Sequence, residues 1–235
     1  MVAIKALNDG KCVTTERDAV KVLIACEFSG IVRDAFIRKG HEAVSCDLLP
    51  TERPGPHIQG DVLSHLGDGW DLMIAHPPCT YLTTTGNKWF KPEYAQRFPN
   101  RVKDREDAIA FFMALANAPI DRMAIENPIG IMSTRWRKPD QIIQPFNYGA
   151  PVRKATCLWL KNLPPILSFY RYPDEVVSNP NGGTDSVFHY KSGRLPPEER
   201  WKFRSRTFPG IAEAMADQWG NLPILRAIAD YEGER

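Results

Sequence analysis

The chain has 235 residues, 30 basic and 28 acidic, for a net charge of +2, with 43% hydrophobic and 25% charged residues. That balance suits a globular protein with a sizeable core, and it is too even to announce a nucleic-acid partner by itself. Five cysteines, an odd number without close pairs, argue against a disulfide framework or a zinc ribbon and lead us to expect a reducing, cytoplasmic setting. No apolar run reaches membrane-spanning length, and the first residues lack the apolar core of a signal peptide.

In chain order, residues 1–19 show little pattern and suggest a short strand or a loose lead-in. Residues 21–26 predict a strand, and Glu27-Phe28-Ser29-Gly30 a turn. A helix follows over 31–39, with Val32, Ala35 and Phe36 on one face and Gly40 ending it. A second strand over 41–46 closes on Asp47. This strand–glycine turn–helix–strand–acid order commonly holds a nucleoside-bearing cofactor, with a carboxylate on the ribose hydroxyls. One glycine is not a dinucleotide fingerprint, so a cofactor without a pyrophosphate is expected. Asp61, before Val62, supplies another carboxylate, to accept from an adenine amino group or to cap a short turn.

Leu72 to Ala75 is an unbroken apolar run that stops at His76-Pro77-Pro78-Cys79. Such a run reads as a strand buried on both faces of a parallel sheet, and the prolines end it at the carboxyl edge, where ligands bind. Cys79 therefore stands where a nucleophile would be useful; the plainer reading is a turn backed by a small buried side chain. Residues 80–100 form a long loop of the kind used as a lid or binding loop. A helix is expected over 101–118, and a strand over 121–125 delivers Glu126-Asn127-Pro128 to the same edge. A further strand is expected over 154–160, a loop-rich insert with a hairpin over 164–197, and a last helix over 209–219.

Taken together, Phe28-Ser29-Gly30, Pro78-Cys79 and Glu126-Asn127 resemble, in order and spacing, the motifs of the DNA cytosine-5 methyltransferases. The resemblance runs from about Val22 to Leu160 and, more faintly, over 207–220. It implies a doubly wound, mostly parallel Rossmann-like α/β sheet. It further implies S-adenosyl-L-methionine as cofactor, DNA as partner and no metal. Glu27, Phe28, Ser29, Gly30, Asp47, Leu48, Asp61, Val62 and Pro77 would then line the cofactor site. Cys79, Glu126, Asn127 and Lys154 would be catalytic. The implied layout is a cofactor-binding catalytic domain over 1–163, a target-recognition-like insert over 164–206 and a completing helix over 207–235, in a monomer. So small an insert is characteristic of abbreviated, phage-like forms.

The departures are specific. The family's further turn glycines are replaced by Ile31-Val32-Arg33, and its Gln-x-Arg-x-Arg register falls on Val152, Lys154 and Thr156. Three basic clusters, around Arg97 to Arg105, Arg135 to Lys138 and Lys191 to Arg206, suit phosphate contacts or simple solvated faces. The five histidines show no metal spacing; His76, beside the prolines, is placed to tune Cys79 by its charge or, on the plainer reading, to pack or hydrogen-bond locally. The amino-group methyltransferases place an aromatic residue where this chain has Cys79. A nucleotide or single-stranded substrate, and an inactive DNA-binding relative, are the alternatives.

Overall fold

The structure, a computed structural model, describes residues 6–8, 11–13, 19–168, 176–178 and 183–221. A short hairpin, β1 (Ala6–Asn8) with β2 (Lys11–Val13), precedes the body of the fold. The remainder of the expectations for 1–19 and for 222–235 lies outside the described residues.

Seven strands form the main sheet: β3 (Lys21–Ala25), β4 (Glu42–Asp47), β5 (His57–Gln59), β6 (Leu72–Ala75), β7 (Arg122–Pro128), β8 (Gln141–Ile143) and β9 (Thr156–Lys161). Their order across the sheet is β5-β4-β3-β6-β7-β9-β8. The first five in that order run parallel, while β9 is antiparallel to both of its neighbours. The expected doubly wound α/β sheet is thus present, with one reversed strand that the sequence did not disclose. The chain leaves β3 towards β4 on one side and later returns to β6 on the other. That reversal opens a crevice at the carboxyl ends of β3 and β6.

The strands are apolar because both faces are covered. Val22 and Ile24 of β3, Leu72 and Ile74 of β6 and Leu158 of β9 pack under α1 (Ile31–Arg38) and α6 (Pro209–Trp219). The alternate residues, Leu23, Met73, Ile125 and Trp159 among them, pack under α2 (Arg101–Ala116) through Phe112 and Leu115. Gly210 lets α6 close against the helical turn of residues 145–148, since a Cβ there would lie 1.7 Å from the Tyr148 carbonyl. The short α3 (Met132–Arg135) follows β7. The insert contains the hairpin β10 (Val176–Ser178) with β11 (Thr184–Ser186), then α4 (Val187–Gly193) and α5 (Pro197–Ser205), two helices that the proline-rich sequence hid.

One buried cation organises the loop after β4. Arg33, fully buried, donates to Ser45 Oγ and Thr51 Oγ1 at 3.2 Å and to the carbonyls of Arg53 and Pro54 at 3.1 and 3.2 Å. It also pairs with Asp34 at 2.8 Å. A Cβ at Gly30 or Gly55 would lie 2.5 or 2.8 Å from its guanidinium. So the residue standing in place of a turn glycine is a structural clamp. Arg33→Met should cost about 3 kcal/mol by stranding these acceptors. Urea unfolding should show a lowered midpoint at unchanged slope; an unchanged midpoint would deny the clamp.

Candidate functional site

The first half of the site is the turn after β3. Cys26 adopts φ 59° and Gly30 φ 70°, a left-handed bend that is costly at a non-glycine residue and swings the chain into α1. Glu27 is 4% exposed. One of its oxygens accepts from the Val32 amide at 2.7 Å and from Ser29 Oγ at 3.0 Å, the other from the Arg33 amide at 3.2 Å. The amides that would bind a phosphate at a helix N-terminus are therefore filled by the chain's own carboxylate. Glu27 was expected among the cofactor ligands; its side chain is committed to this cap.

Asp47 and Asp61 both flank this turn, and both raise the Cys26 thiol, which burial already pushes far up. Asp47 itself is pushed above the usual carboxylate range by burial, against the opposing hydrogen bond from the Leu49 amide at 2.9 Å. Asp61 caps the short turn of residues 62–65 through the Leu63 amide at 3.0 Å, the plainer of its two expected roles. Leu48 is exposed, whereas Phe28, Val62 and Pro77 are buried. Over Phe28 lies Trp201 of α5, ring centroids 5.9 Å apart, itself 47% exposed.

The second half sits one strand over. Cys79 is half-buried, and burial together with the Glu126 charge raises its thiol while Lys154 draws it back. Thiol, carboxylate and ammonium are thus electrostatic neighbours at the carboxyl edge, Lys154 arriving there because β9 runs backwards. Burial pushes the Glu126 carboxyl up, but the hydrogen bond from His76 and its charge when protonated, the Lys154 charge and the Thr156 hydroxyl together win, and the carboxyl lies below its ordinary range. His76 Nδ1 and Glu126 Oε2 are 3.1 Å apart. Asn127, expected to be catalytic, donates through Nδ2 to the Pro77 carbonyl at 2.7 Å, pinning the Pro-Pro-Cys turn to β7. His76 precedes the prolines in plain view, but its partner is 50 residues away.

The loop after Cys79 is organised rather than structureless. The Thr84 amide donates to the Ile129 carbonyl at 3.2 Å and that of Ile131 to the Leu82 carbonyl at 2.8 Å. Gly130 permits this, since a Cβ there would lie 2.1 Å from the Leu82 carbonyl. Arg105 lies over Phe90 and donates to the Tyr81 carbonyl at 3.0 Å; Arg101 lies over Tyr81 and Phe90. Arg135 pairs with Glu106, Arg137 with Asp140 and Arg206 with Glu52. Much of each expected phosphate-binding cluster thus already has partners within the chain.

A gap of about 20 Å³ beside Glu126, Lys154 and Thr156 is covered by Ser205, Arg206, Thr207 and Phe208, and Lys154 Nζ donates to the Arg204 carbonyl at 2.7 Å. That gap has room for about one water. A larger hollow, about 400 Å³, is lined by Met123, Trp136, Trp159 and Asn162 at the amino end of β7, away from the thiol and the carboxylates. Location and chemistry favour the carboxyl edge over volume.

No family model and no curated protein matches the chain. Among solved structures it is similar to a candidate DNA modification methyltransferase encoded within a prophage (E. coli), at 15% identity and a TM-score of 0.41, over 66% of this chain and 52% of that one. The chain spans about half the length of that structure. A likeness of this degree assigns neither activity nor substrate.

Electrostatics at Cys79 make two checks possible without any ligand. Glu126→Gln should speed iodoacetamide alkylation of Cys79 at neutral pH about threefold to tenfold, and Lys154→Met should slow it by a similar factor; rates insensitive to both would separate the three groups. The lowered Glu126 carboxyl contributes stability that is fully present above its unfolded value, about 4.3. That contribution is lost as pH falls through the folded value. Wild type should therefore lose stability relative to Glu126→Gln on acidification, as read by urea melts; a pH-independent difference would contradict the shift.

Proposed function

We propose that the chain transfers a methyl group from S-adenosyl-L-methionine to carbon 5 of cytosine in DNA, by way of a transient bond between Cys79 and carbon 6. The observation that carries this reading is the meeting of a half-buried thiol, Glu126 and Lys154 at the carboxyl edge, one strand from the turn flanked by Asp47 and Asp61. Glu27 on the α1 amides favours a nucleoside cofactor that brings no phosphate. Asp47 would take the ribose hydroxyls and Asp61 the adenine amino group, with Phe28, Ser29, Gly30, Leu48, Val62 and Pro77 around them. The bound cofactor supplies an electrophilic methyl group.

Carbon 5 of cytosine is too weak a nucleophile to accept that methyl unaided. Bonding of the Cys79 sulfur to carbon 6 pushes the ring electrons towards carbon 5 and nitrogen 3. The thiol loses a proton in this step and nitrogen 3 gains one, with Glu126 between them as acceptor and then donor. Lys154 steadies the charge on the base oxygen. Once carbon 5 carries the methyl, a water molecule acting as base takes the carbon 5 proton, the ring double bond re-forms and Cys79 departs as thiolate; Glu126 then takes back the nitrogen 3 proton and returns it to the sulfur. A duplex hides these atoms in the stack, so the target base must leave it. Residues 205–208 must also move off Glu126, releasing Lys154 from the Arg204 carbonyl.

The internal pairing of Arg101, Arg105, Arg135, Arg137 and Arg206 favours one second reading, in which the same chemistry acts on single-stranded nucleic acid or a nucleotide. Fewer unengaged cations mean weaker duplex-backbone binding and a shallow salt dependence.

Incubation with cofactor and an oligonucleotide containing 5-fluorocytosine should trap a denaturation-resistant adduct on Cys79, and Cys79→Ser should form none. Running the duplex, the single strand and the fluorinated nucleotide in parallel selects the substrate; no adduct with any of them would overturn the reaction. Asp47→Ala should weaken cofactor binding on the order of tenfold or more, by calorimetry, through loss of charge-assisted hydrogen bonds. Unchanged affinity would remove Asp47 from the ribose role.

A further inference from the structure

We propose that His76 is the positioning residue of Glu126, holding its carboxylate ionised and aimed until a base arrives. This rests on the reading above, which it deepens by a residue outside the motifs that suggested it. The side chains are 8% and 19% exposed, so water does little to hold either one. An ionised carboxylate only accepts, so the hydrogen between Nδ1 and Oε2 sits on the imidazole. His76 Nε2 is buried, and among the described residues it has no partner. The ring's one hydrogen-bond partner among the described residues is then Glu126, and turning the ring would cost the carboxylate that hydrogen bond.

Around the pair stand Lys154, which also favours the ionised carboxyl, the Thr156 hydroxyl, which donates to the Lys154 carbonyl at 3.3 Å, and the Cys79 and Cys157 thiols, both raised by burial and then by the Glu126 charge. Burial alone would protonate Glu126, and a protonated Glu126 could not take up the proton that Cys79 sheds. His76 tips that balance. It touches no reacting atom; it acts through the carboxylate it holds.

Two substitutions separate holding from mere packing. His76→Asn places an amide N–H near the position of Nδ1, whereas His76→Phe fills the space with no donor. A carbon-13 titration of the Glu126 carboxyl should shift upwards in His76→Phe and return towards wild type in His76→Asn. The acidic limb of kcat/KM for methyl transfer should follow. At about pH 6 the phenylalanine variant should lose on the order of tenfold, and the asparagine variant should stay within about threefold of wild type. If wild type forms the fluorinated adduct while titration and pH profile ignore residue 76, the role given to His76 is overturned. If no adduct forms but the titration responds as expected, the pairing stands and the methyl-transfer reading falls. Should His76→Phe fail to fold, His76→Asn against Glu126→Gln carries the test: asparagine behaving like the carboxylate-free variant would sink the proposal.

Discussion

Burial on both faces of the parallel sheet is the constraint from which the other features follow. Each side chain of β3 and β6 belongs to one core or the other and is buried except Lys21, so neither face has room for a polar working group. A charged side chain placed there would lack the partners that make burial tolerable. Polar chemistry is left the strand ends. Within them, the crevice between β3 and β6 is where parallel strands leave the backbone open to a ligand. Cys26, Asp47, Cys79, Glu126 and Lys154 gather at that edge, beyond the buried stretches of β3 and β6.

Crowding makes the resting charges interdependent. Burial dominates at Cys79 and keeps the thiol protonated, and the nearby carboxylate adds to that effect. At Glu126 burial is again the largest single influence, yet His76, Lys154 and Thr156 outweigh it together. Negative charge at rest therefore sits on carbon-bound oxygen and not on sulfur. In the proposed reaction this is a useful order. A thiol that stays protonated resists oxidation and stray electrophiles, and it becomes nucleophilic as Glu126 is neutralised, because the same proton raises one charge and removes the other.

The long elements were legible because their patterns are local. The apolar runs of β3 and β6 and the helical spacing of Phe112 and Leu115 in α2 need no distant information. The three-residue edge strands β5 and β8 and the helix α5, which buries no residue, have no such pattern and were missed. The direction of β9 was equally hidden, since an apolar run reads the same both ways. In the site, Cys79, Glu126 and Asp47 could be found as strand ends, whereas the Asn127–Pro77 and His76–Glu126 hydrogen bonds each span 50 residues. The partners of the arginine clusters were hidden for a related reason. Sequence displays the cations, but the carbonyls, rings and carboxylates that engage Arg101, Arg105 and Arg206 are brought to them only by the fold.

The link between α5 and α6 ties the two halves of the site together. Arg206 grips Glu52 at 2.7 Å, the Glu52 amide donates to the Phe28 carbonyl at 2.8 Å, and Trp201 covers the Phe28 ring. A few residues along, the Arg204 carbonyl receives Lys154, and residues 205–208 roof the gap beside Glu126. One segment thus reaches the turn after β3 and lines the gap beside the carboxylate of β7. The pairs that hold it are partly exposed, and exposed ion pairs contribute little each, so displacing it costs far less than disturbing the sheet below.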